Sequence, residues 1–201
     1  MSYQAIAVGS SAGGLRALTR ILRELPSSLS VPLLVVQHVG RAGTGRSAKL
    51  LDERSSLRVK LAEDKEPIAV GTVYVAPPDY HLLVEPDRTL ALSVDEPVHH
   101  CRPSVDVLFE SAADAYGSGL VGVVLTGANR DGAAGLRAIK QRGGYAIVED
   151  PATAEARAMP AAAIDATDVD RVLPVDYIGE LLCRIVGRRS SSQPRSGGRH
   201  G

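Results

Sequence analysis

The sequence has few cysteines and few aromatic residues. Of its 201 residues, two are cysteine, one is phenylalanine and none is tryptophan. Cys101 and Cys183 are too few for a disulfide framework, and because neither belongs to a Cys-x-x-Cys pair we expect both to be ordinary thiols. The shortage of aromatic side chains also removes the stacking platforms on which single-stranded nucleic acids bind.

An excess of charge of one sign is lacking as well. The chain has 23 basic and 23 acidic residues, so it carries no basic footprint for nucleic acid. No apolar run approaches the ~18 residues that a membrane helix needs, and the first residues lack the features of a signal peptide. With 44% hydrophobic residues, the composition predicts a globular cytoplasmic protein that neither binds nucleic acid nor inserts stably into a membrane.

The end of the chain differs in composition from the rest. Residues 188–201 contain four arginines but no acidic residue and no aliphatic side chain that could be buried. Such a segment cannot offset the conformational entropy that is lost on ordering. We therefore expect one domain over residues 1–187, followed by a disordered basic tail over residues 188–201.

Short aliphatic runs alternate with helical hydrophobic patterns in the predicted domain. This alternation predicts an α/β fold of three layers, with helices on both faces of a mostly parallel, doubly wound sheet. Residues 57–95 contain short segments separated by Pro, Gly, Asp and Arg, which predict an antiparallel excursion built of hairpins. The predicted strands are 5–8, 33–36, 121–125 and 145–148, and the predicted helices are 15–25, 44–53, 105–116, 133–141 and 175–186.

A glycine-rich turn, GSSAGG at residues 9–14, connects the first predicted strand to a helix. Such a turn presents backbone N–H groups at the positive end of a helix, which suits an anion or a developing oxyanion, and here it also carries the hydroxyls of Ser10 and Ser11. The turn matches neither the dinucleotide-binding fingerprint nor a P-loop. Taken alone, it is equally consistent with a tight turn in which a serine caps the helix.

His38 and Asp131 also follow predicted buried strands. Alone, His38 is more often a packed residue, and Asp131 is the expected N-cap of the helix that follows it. Because the carboxyl ends of parallel strands meet at one edge of a sheet, however, a serine, an imidazole and a carboxylate are brought to the same edge. The sequence thus permits a Ser-His-Asp triad without requiring one.

Six segments in order along the chain resemble the catalytic domain of the chemotaxis protein-glutamate methylesterases (CheB). The similarity extends from about residue 3 to residue 186. Its motifs are GSSAGG at 9–14, QH at 37–38, RPSVDVLF at 102–109, LTG at 125–127, DGAAG at 131–135 and MP at 159–160.

The resemblance implies a role for each member of the triad. The serine of the family motif falls on Ser11 rather than Ser10, which makes Ser11 the implied nucleophile. His38 is then the general base, and Asp131 is the carboxylate that orients it. The family chemistry requires neither a metal nor an organic cofactor.

The resemblance also implies backbone and substrate-contact positions. The N–H groups of Ala12 and Ala128 are the implied oxyanion donors. Arg130, which is added relative to the family pattern, and Thr44 are candidate contacts for the substrate. Ala12 replaces the family's usual threonine, and the segments after His38 and before the aspartate motif also depart from the family pattern. We therefore expect a remodelled substrate surface around a retained main-chain arrangement.

The implied function is hydrolysis of glutamate methyl esters on the cytoplasmic helices of a chemoreceptor or a related signalling protein. One alternative is deamidation of glutamine side chains, or hydrolysis of another ester, through the same acyl-enzyme. An alternative of a different class is a non-catalytic signalling or binding module that has kept the scaffold. Regulated family members carry a receiver domain ahead of the esterase domain, whereas the resemblance here begins close to Met1, so we expect a stand-alone member that phosphorylation does not gate in cis.

Overall fold

A computed structural model describes residues 2–38 and 46–187 of the chain. Helices and strands alternate along most of it, and a short 3-10 turn, Gly117–Gly119, lies between the third helix and the seventh strand. In chain order the elements are β1 (Ala5–Ser10), α1 (Gly14–Glu24), β2 (Leu33–Gln37), α2 (Arg46–Asp52), β3 (Arg58–Leu61), β4 (Thr72–Val75), β5 (His81–Val84), β6 (Leu90–Ser93), α3 (Val105–Tyr116), β7 (Leu120–Val124), α4 (Ala133–Gln141), β8 (Tyr145–Glu149), α5 (Ala158–Ala166), β9 (Arg171–Leu173) and α6 (Val175–Val186).

Seven strands form the central sheet, in the order β3-β4-β2-β1-β7-β8-β9. Every neighbouring pair in this sheet is parallel. The strands β1, β2 and β7 at its centre are buried along their whole length, as expected when helices cover both faces of a parallel sheet. The predicted fold class is therefore confirmed.

Alternate residues of β1 face two separate cores, which define the three layers. Ile6 and Val8 belong to a core with α1, α2 and α6, whereas Ala5 and Ala7 belong to a core with α3, α4, α5 and the β5–β6 pair. At Gly9 an added Cβ would lie 2.2 Å from a methyl carbon of Val105, so only glycine allows this close approach. The first turn of α3 is thereby brought against the end of β1.

The antiparallel excursion expected over residues 57–95 is shorter than predicted. Strands β3 and β4 pair in parallel and extend the main sheet. The antiparallel part consists of β5 paired with β6 and a single bridge between Pro67 and Thr89. The connection over residues 62–71 contains no helix, so the usual sign of a parallel crossover is missing from the sequence. All four residues of β4 are buried, which places that strand inside the sheet and not in an exposed hairpin.

Two elements were not predicted from the sequence. Helix α5 has the alanine-rich sequence AMPAAAIDA, which lacks a clear apolar stripe, and the three residues of β9 include two exposed ones. Within the two described ranges, no helix combines the length and apolar character that are needed to cross a bilayer. The predicted basic tail lies outside the described residues.

Candidate active site

The serine turn and His38 lie at the same edge of the sheet. In the parallel pairing of β1 with β2, Ser10 is opposite Gln37, and the N–H of His38 donates to the carbonyl of Ser10 at 2.9 Å. On the other side of β1, the N–H of Ser11 donates to the carbonyl of Thr126 at 2.9 Å. The ends of three central strands are thus joined directly by backbone hydrogen bonds.

The two serines of the turn have different environments. Ser10 is fully buried, at 0% exposure, and its hydroxyl donates to Gln37 Oε1 at 2.7 Å. Ser11 is partly exposed and lines a cleft of about 290 Å³. Among the described residues, its hydroxyl has no hydrogen-bond partner. Ser11 therefore presents a hydroxyl that a substrate can reach, whereas Ser10 does not.

Gln37 holds the backbone on both sides of the site. Its Nε2 donates to the carbonyls of Ser11 at 2.8 Å and His38 at 2.9 Å, while its Oε1 accepts from Ser10. A Cβ at Gly14 would lie 2.1 Å from this oxygen, so a side chain there would displace the amide. The sequence motif contains Gln37, but nothing in the sequence indicated this positioning role.

His38 and Asp131 are in direct contact. His38 Nε2 lies 2.8 Å from Asp131 Oδ2, and the carboxylate also accepts from Ser104 Oγ at 2.7 Å, Val105 N at 2.7 Å and Asp106 N at 3.0 Å. Because an ionised carboxylate only accepts hydrogen bonds, the proton of the neutral imidazole lies on Nε2. Nδ1 is then the nitrogen with a free lone pair, and it can act as a base.

The expectation that Asp131 caps α4 is wrong, because Asp131 caps a different helix. The N-cap of α4 is Gly132, which has no side-chain cap. Asp131 instead accepts from the N–H groups of Val105 and Asp106 at the start of α3. In return, Asp106 Oδ1 accepts from the N–H groups of Gly132 at 2.9 Å and Gly135 at 2.7 Å, at the start of α4. The two buried aspartates thus exchange caps between neighbouring helices.

The charges of the site shift its pKa values in opposite directions. Burial lowers the pKa of His38, but hydrogen bonds to Asp131 and Cys101 outweigh burial and raise this pKa to about 9. Burial would raise the pKa of Asp131, yet its hydrogen bonds from His38 and the start of α3 hold the pKa below its usual value. Asp106 has a raised pKa, mainly because of burial. Asp131 is consequently the carboxylate that stays ionised beside the imidazole.

Cys101 lies next to the base nitrogen, which the sequence did not indicate. Its Sγ is 3.8 Å from His38 Nδ1 and accepts a hydrogen bond from Asn129 Nδ2 at 3.2 Å. The other cysteine, Cys183, lies against the carbonyl of Glu24 at 3.5 Å. Only Cys101 thus belongs to the candidate site, although both were expected to be ordinary thiols.

The expected oxyanion donors lie on two connected loops. Thr126 Oγ1 donates to the carbonyl of Ala12 at 2.8 Å, and the N–H of Thr126 donates to the buried Glu149 at 2.7 Å. Ala12 and Ala128 are both exposed, and neither N–H donates to another group within residues 2–38 and 46–187. Both N–H groups are therefore free to bind an oxygen atom of a substrate.

Arg130, one of the two expected substrate contacts, does not line the cleft of Ser11. Arg130 is exposed and lines a depression beside α5 that is separate from the cleft of Ser11. Thr44 lies outside the described residues. Two arginines that were not predicted, Arg16 and Arg54, line the cleft that contains Ser11.

Comparison with known proteins identifies the family. The model of the CheB methylesterase family matches residues 6–182. The chain belongs to the CheB methylesterase family. The crystal structure of the Thermotoga maritima CheB methylesterase catalytic domain has the same fold, with a TM-score of 0.88 and 37% sequence identity, over 92% of this chain and 100% of that one. The family and the fold that the motifs indicated are both confirmed.

Relatives in this family differ in length. A CheB relative from Leptospira interrogans is 50% identical over 185 residues, which cover 92% of this chain and 96% of the relative. The Carboxydothermus hydrogenoformans protein named protein-glutamate methylesterase/protein-glutamine glutaminase 1 is 43% identical over 184 residues, which cover 89% of this chain but 54% of that protein. The chain therefore spans nearly all of one CheB relative and about half of the other.

Proposed function

We propose that this methylesterase hydrolyses glutamate methyl esters on cytoplasmic helices of chemoreceptors, or of a related signalling protein, with Ser11 as nucleophile, His38 as general base and Asp131 as its orienting carboxylate. The observation that carries the proposal is the 2.8 Å contact between His38 Nε2 and Asp131 Oδ2, at the sheet edge where Ser11 lies. This contact leaves His38 Nδ1 as the nitrogen that accepts a proton.

The reaction follows from these positions. His38 Nδ1 takes the proton of Ser11 Oγ, and the oxygen attacks the ester carbonyl. The protonated imidazole then gives its proton to the leaving methoxide, which departs as methanol, and water hydrolyses the acyl-enzyme by the same route. Catalytic hydrogen bonds are often long or misaligned without substrate, so we expect the bond between Ser11 and His38 to form when the ester binds.

Stabilisation of the oxyanion is assigned to backbone donors. The N–H groups of Ala12 and Ala128, which donate to no other group in the described part of the chain, support this role, because a preformed donor requires no reorganisation when the negative charge develops. Thr126 connects the loops through its bonds to Ser11 and Ala12. The substitution of alanine at position 12 leaves the role intact, because every residue except proline donates an N–H.

The cleft beside Ser11 supports an acidic protein as substrate. Leu15 and Leu50 line it together with Arg16 and Arg54. The leucines offer apolar surface to the methylene groups and the methyl ester of a modified glutamate. Arg16 pairs at 3.3 Å with Glu155, which also lines the cleft, so Arg54 is the arginine that attracts the carboxylates of neighbouring unmodified residues. Arg130, on the separate depression, remains a further proposed contact with the receptor.

Deamidation of glutamine is the second candidate function. The names of relatives such as the Carboxydothermus protein combine a methylesterase with a glutaminase. Both reactions pass through the same glutamyl-enzyme, and only the leaving group differs, ammonia instead of methanol. The alternative of a non-catalytic binding module is not supported, because the chain belongs to an esterase family.

The decisive experiment measures methanol release from a methylated chemoreceptor fragment. We expect Ser11→Ala to lower kcat by about 10⁴ to 10⁶, as for other triad nucleophiles. The Tm should be unchanged, because the Ser11 hydroxyl makes no hydrogen bond to the described residues. A fluorophosphonate should label Ser11 and leave Ser10 unmodified. Full activity of Ser11→Ala, or labelling at Ser10, would show that the nucleophile is wrongly assigned.

A further inference from the structure

A cluster of three metal-ligating side chains lies at the candidate active site. One ligand atom from each of His38, Cys101 and Asp131 lies within 4.8 Å of the other two. Asp131 Oδ2 is already bound to His38 Nε2, so the two remaining ligand atoms are His38 Nδ1 and Cys101 Sγ, 3.8 Å apart. The thiol donates to the carbonyl of His99 at 3.5 Å, a bond that is lost when an ion replaces its proton. A nitrogen and a sulfur joined by one long, weak hydrogen bond thus face each other.

The spacing of these two atoms fits a zinc ion. Zinc binds sulfur at about 2.3 Å and imidazole nitrogen at about 2.0–2.1 Å, which separates two tetrahedral ligands by about 3.6 Å. The observed separation of 3.8 Å between His38 Nδ1 and Cys101 Sγ is close to that value. A hydrogen bond of this length is weak, because sulfur is a weak donor and acceptor, so an ion can replace it. The pair therefore accepts a bridging ion with only a small movement.

Neighbouring groups orient both atoms in the way that metal sites require. A metal-ligating histidine usually donates its other ring N–H to a carboxylate, which is the role of Asp131 toward His38. Asn129 Oδ1 accepts the N–H of Asp131 at 3.2 Å, which turns its Nδ2 toward Cys101 Sγ at 3.2 Å. A hydrogen bond to sulfur stabilises a negatively charged thiolate ligand. The two ligand atoms, His38 Nδ1 and Cys101 Sγ, are thus held in place by their neighbours.

We propose that His38 Nδ1 and Cys101 Sγ bind a soft divalent ion such as Zn²⁺, and that the bound ion inhibits the esterase. Binding releases the thiol proton to solvent, together with the Nδ1 proton wherever His38 is charged, and the ion then occupies the lone pair of Nδ1. That lone pair is the one that must accept the proton of Ser11, so a metal-bound enzyme has no general base. The inhibition rests on the proposed function, whereas the binding of the ion does not.

The first test measures binding without reference to activity. Co²⁺ bound by a thiolate gives a charge-transfer absorption in the near ultraviolet, and Zn²⁺ should displace the Co²⁺ and remove this band. We expect the band at one equivalent in the wild-type protein, in Cys183→Ser and in Ser11→Ala, and no band in Cys101→Ser. Cys183→Ser is the matched control because it removes the other free thiol, which lies against Glu24.

The second test measures esterase activity during a titration with Zn²⁺. The wild-type protein and Cys183→Ser should be inhibited alike, and EDTA should restore their rates. The rate of each protein is expressed relative to its own metal-free rate. The Zn²⁺ concentration that halves this rate should be at least about tenfold higher for Cys101→Ser than for the wild type, as expected when a metal site loses a ligand. The melting temperature of each variant checks that it is folded.

The outcomes separate the two proposals. If Co²⁺ binds through Cys101 but no protein hydrolyses the ester, the metal site stands and the proposed function fails. If the wild-type enzyme is active but shows neither the Co²⁺ band nor inhibition by Zn²⁺, the metal site is wrong. Equal inhibition of Cys101→Ser and the wild type, or loss of the band in Cys183→Ser, would also overturn it, because the ion would then bind elsewhere.

Discussion

Replacement of Asp131 by asparagine tests the exchanged helix caps and the catalytic role together. Asp131 Oδ1 accepts from Ser104 Oγ and the N–H of Asp106, and Oδ2 accepts from His38 Nε2 and the N–H of Val105. Asparagine has one acceptor oxygen and one donor NH₂ group. Whichever way the amide is turned, its NH₂ group points at a backbone N–H of α3. Asp131→Asn must therefore leave one buried donor without a partner.

The loss of one buried hydrogen bond determines how far the Tm should fall. A buried N–H without a partner costs about 1–3 kcal/mol, and 1 kcal/mol lowers the Tm of a domain of this size by about 2–4 °C. At about 2 kcal/mol, the middle of that range, Asp131→Asn should lower the Tm by about 4–8 °C. The variant also favours the wrong tautomer of His38, so kcat should fall by about 10³ to 10⁴. If Asp131 were only the N-cap of α4, Asp131→Asn should change the Tm and kcat very little, because asparagine caps a helix about as well as aspartate.

Asp106→Asn is the matched control, since it makes the same substitution at the other buried aspartate. Asp106 Oδ1 alone accepts from both Gly132 and Gly135, so an amide oxygen at this position keeps both bonds. Its NH₂ group would face His99, whose Nε2 lies 3.5 Å from Asp106 Oδ2. We therefore expect a Tm within about 2 °C of the wild type, since no buried donor loses its partner.

Thermal melting by circular dichroism and methanol release from a methylated receptor fragment measure the two effects separately. If Asp131→Asn melts at the temperature of the wild type, the exchanged caps are wrong. If it melts early but retains full kcat, Asp131 is a structural residue and the assignment of the triad is wrong.

Three further predictions concern the base, the substrate surface and the tail. The kcat/KM for a small ester should rise with pH up to about 9, because His38 acts as a base only when neutral and its pKa is raised to about 9; an acid limb at about 6 to 7, as for an unperturbed histidine, would contradict this environment. Arg130→Ala should raise the KM for the receptor and spare the turnover of a small uncharged ester, and the difference should shrink with added salt, since exposed charges are screened beyond about 10 Å at 0.1 M; an unchanged KM would exclude this contact. Deletion of residues 188–201 should leave the Tm and the small-ester rate unchanged, and a fall of several degrees would reveal an ordered element there.

Local patterns in the sequence determined most of the fold. The predicted bounds of α4 and α6 agree with the structure, because an apolar stripe with helical period and the residues that follow it define a helix locally. Ser104, a residue type favoured at helix N-termini, caps α3 with its hydroxyl accepting from Val107 N. The motifs around Ser11, His38 and Asp131 also sufficed to indicate the family.

The contacts within the site were decided only by the tertiary structure. Asp131 precedes α4 in the chain, yet it caps α3, whose first residues lie 25 to 27 positions earlier in sequence. Cys101 lies 63 positions from His38 and carries no local motif that connects the two. Sequence periodicity describes neighbours on one helix or strand, whereas hydrogen bonds between elements depend on how the elements pack. For this reason a short-range rule correctly identified Asp131 as a helix cap but assigned it to the wrong helix.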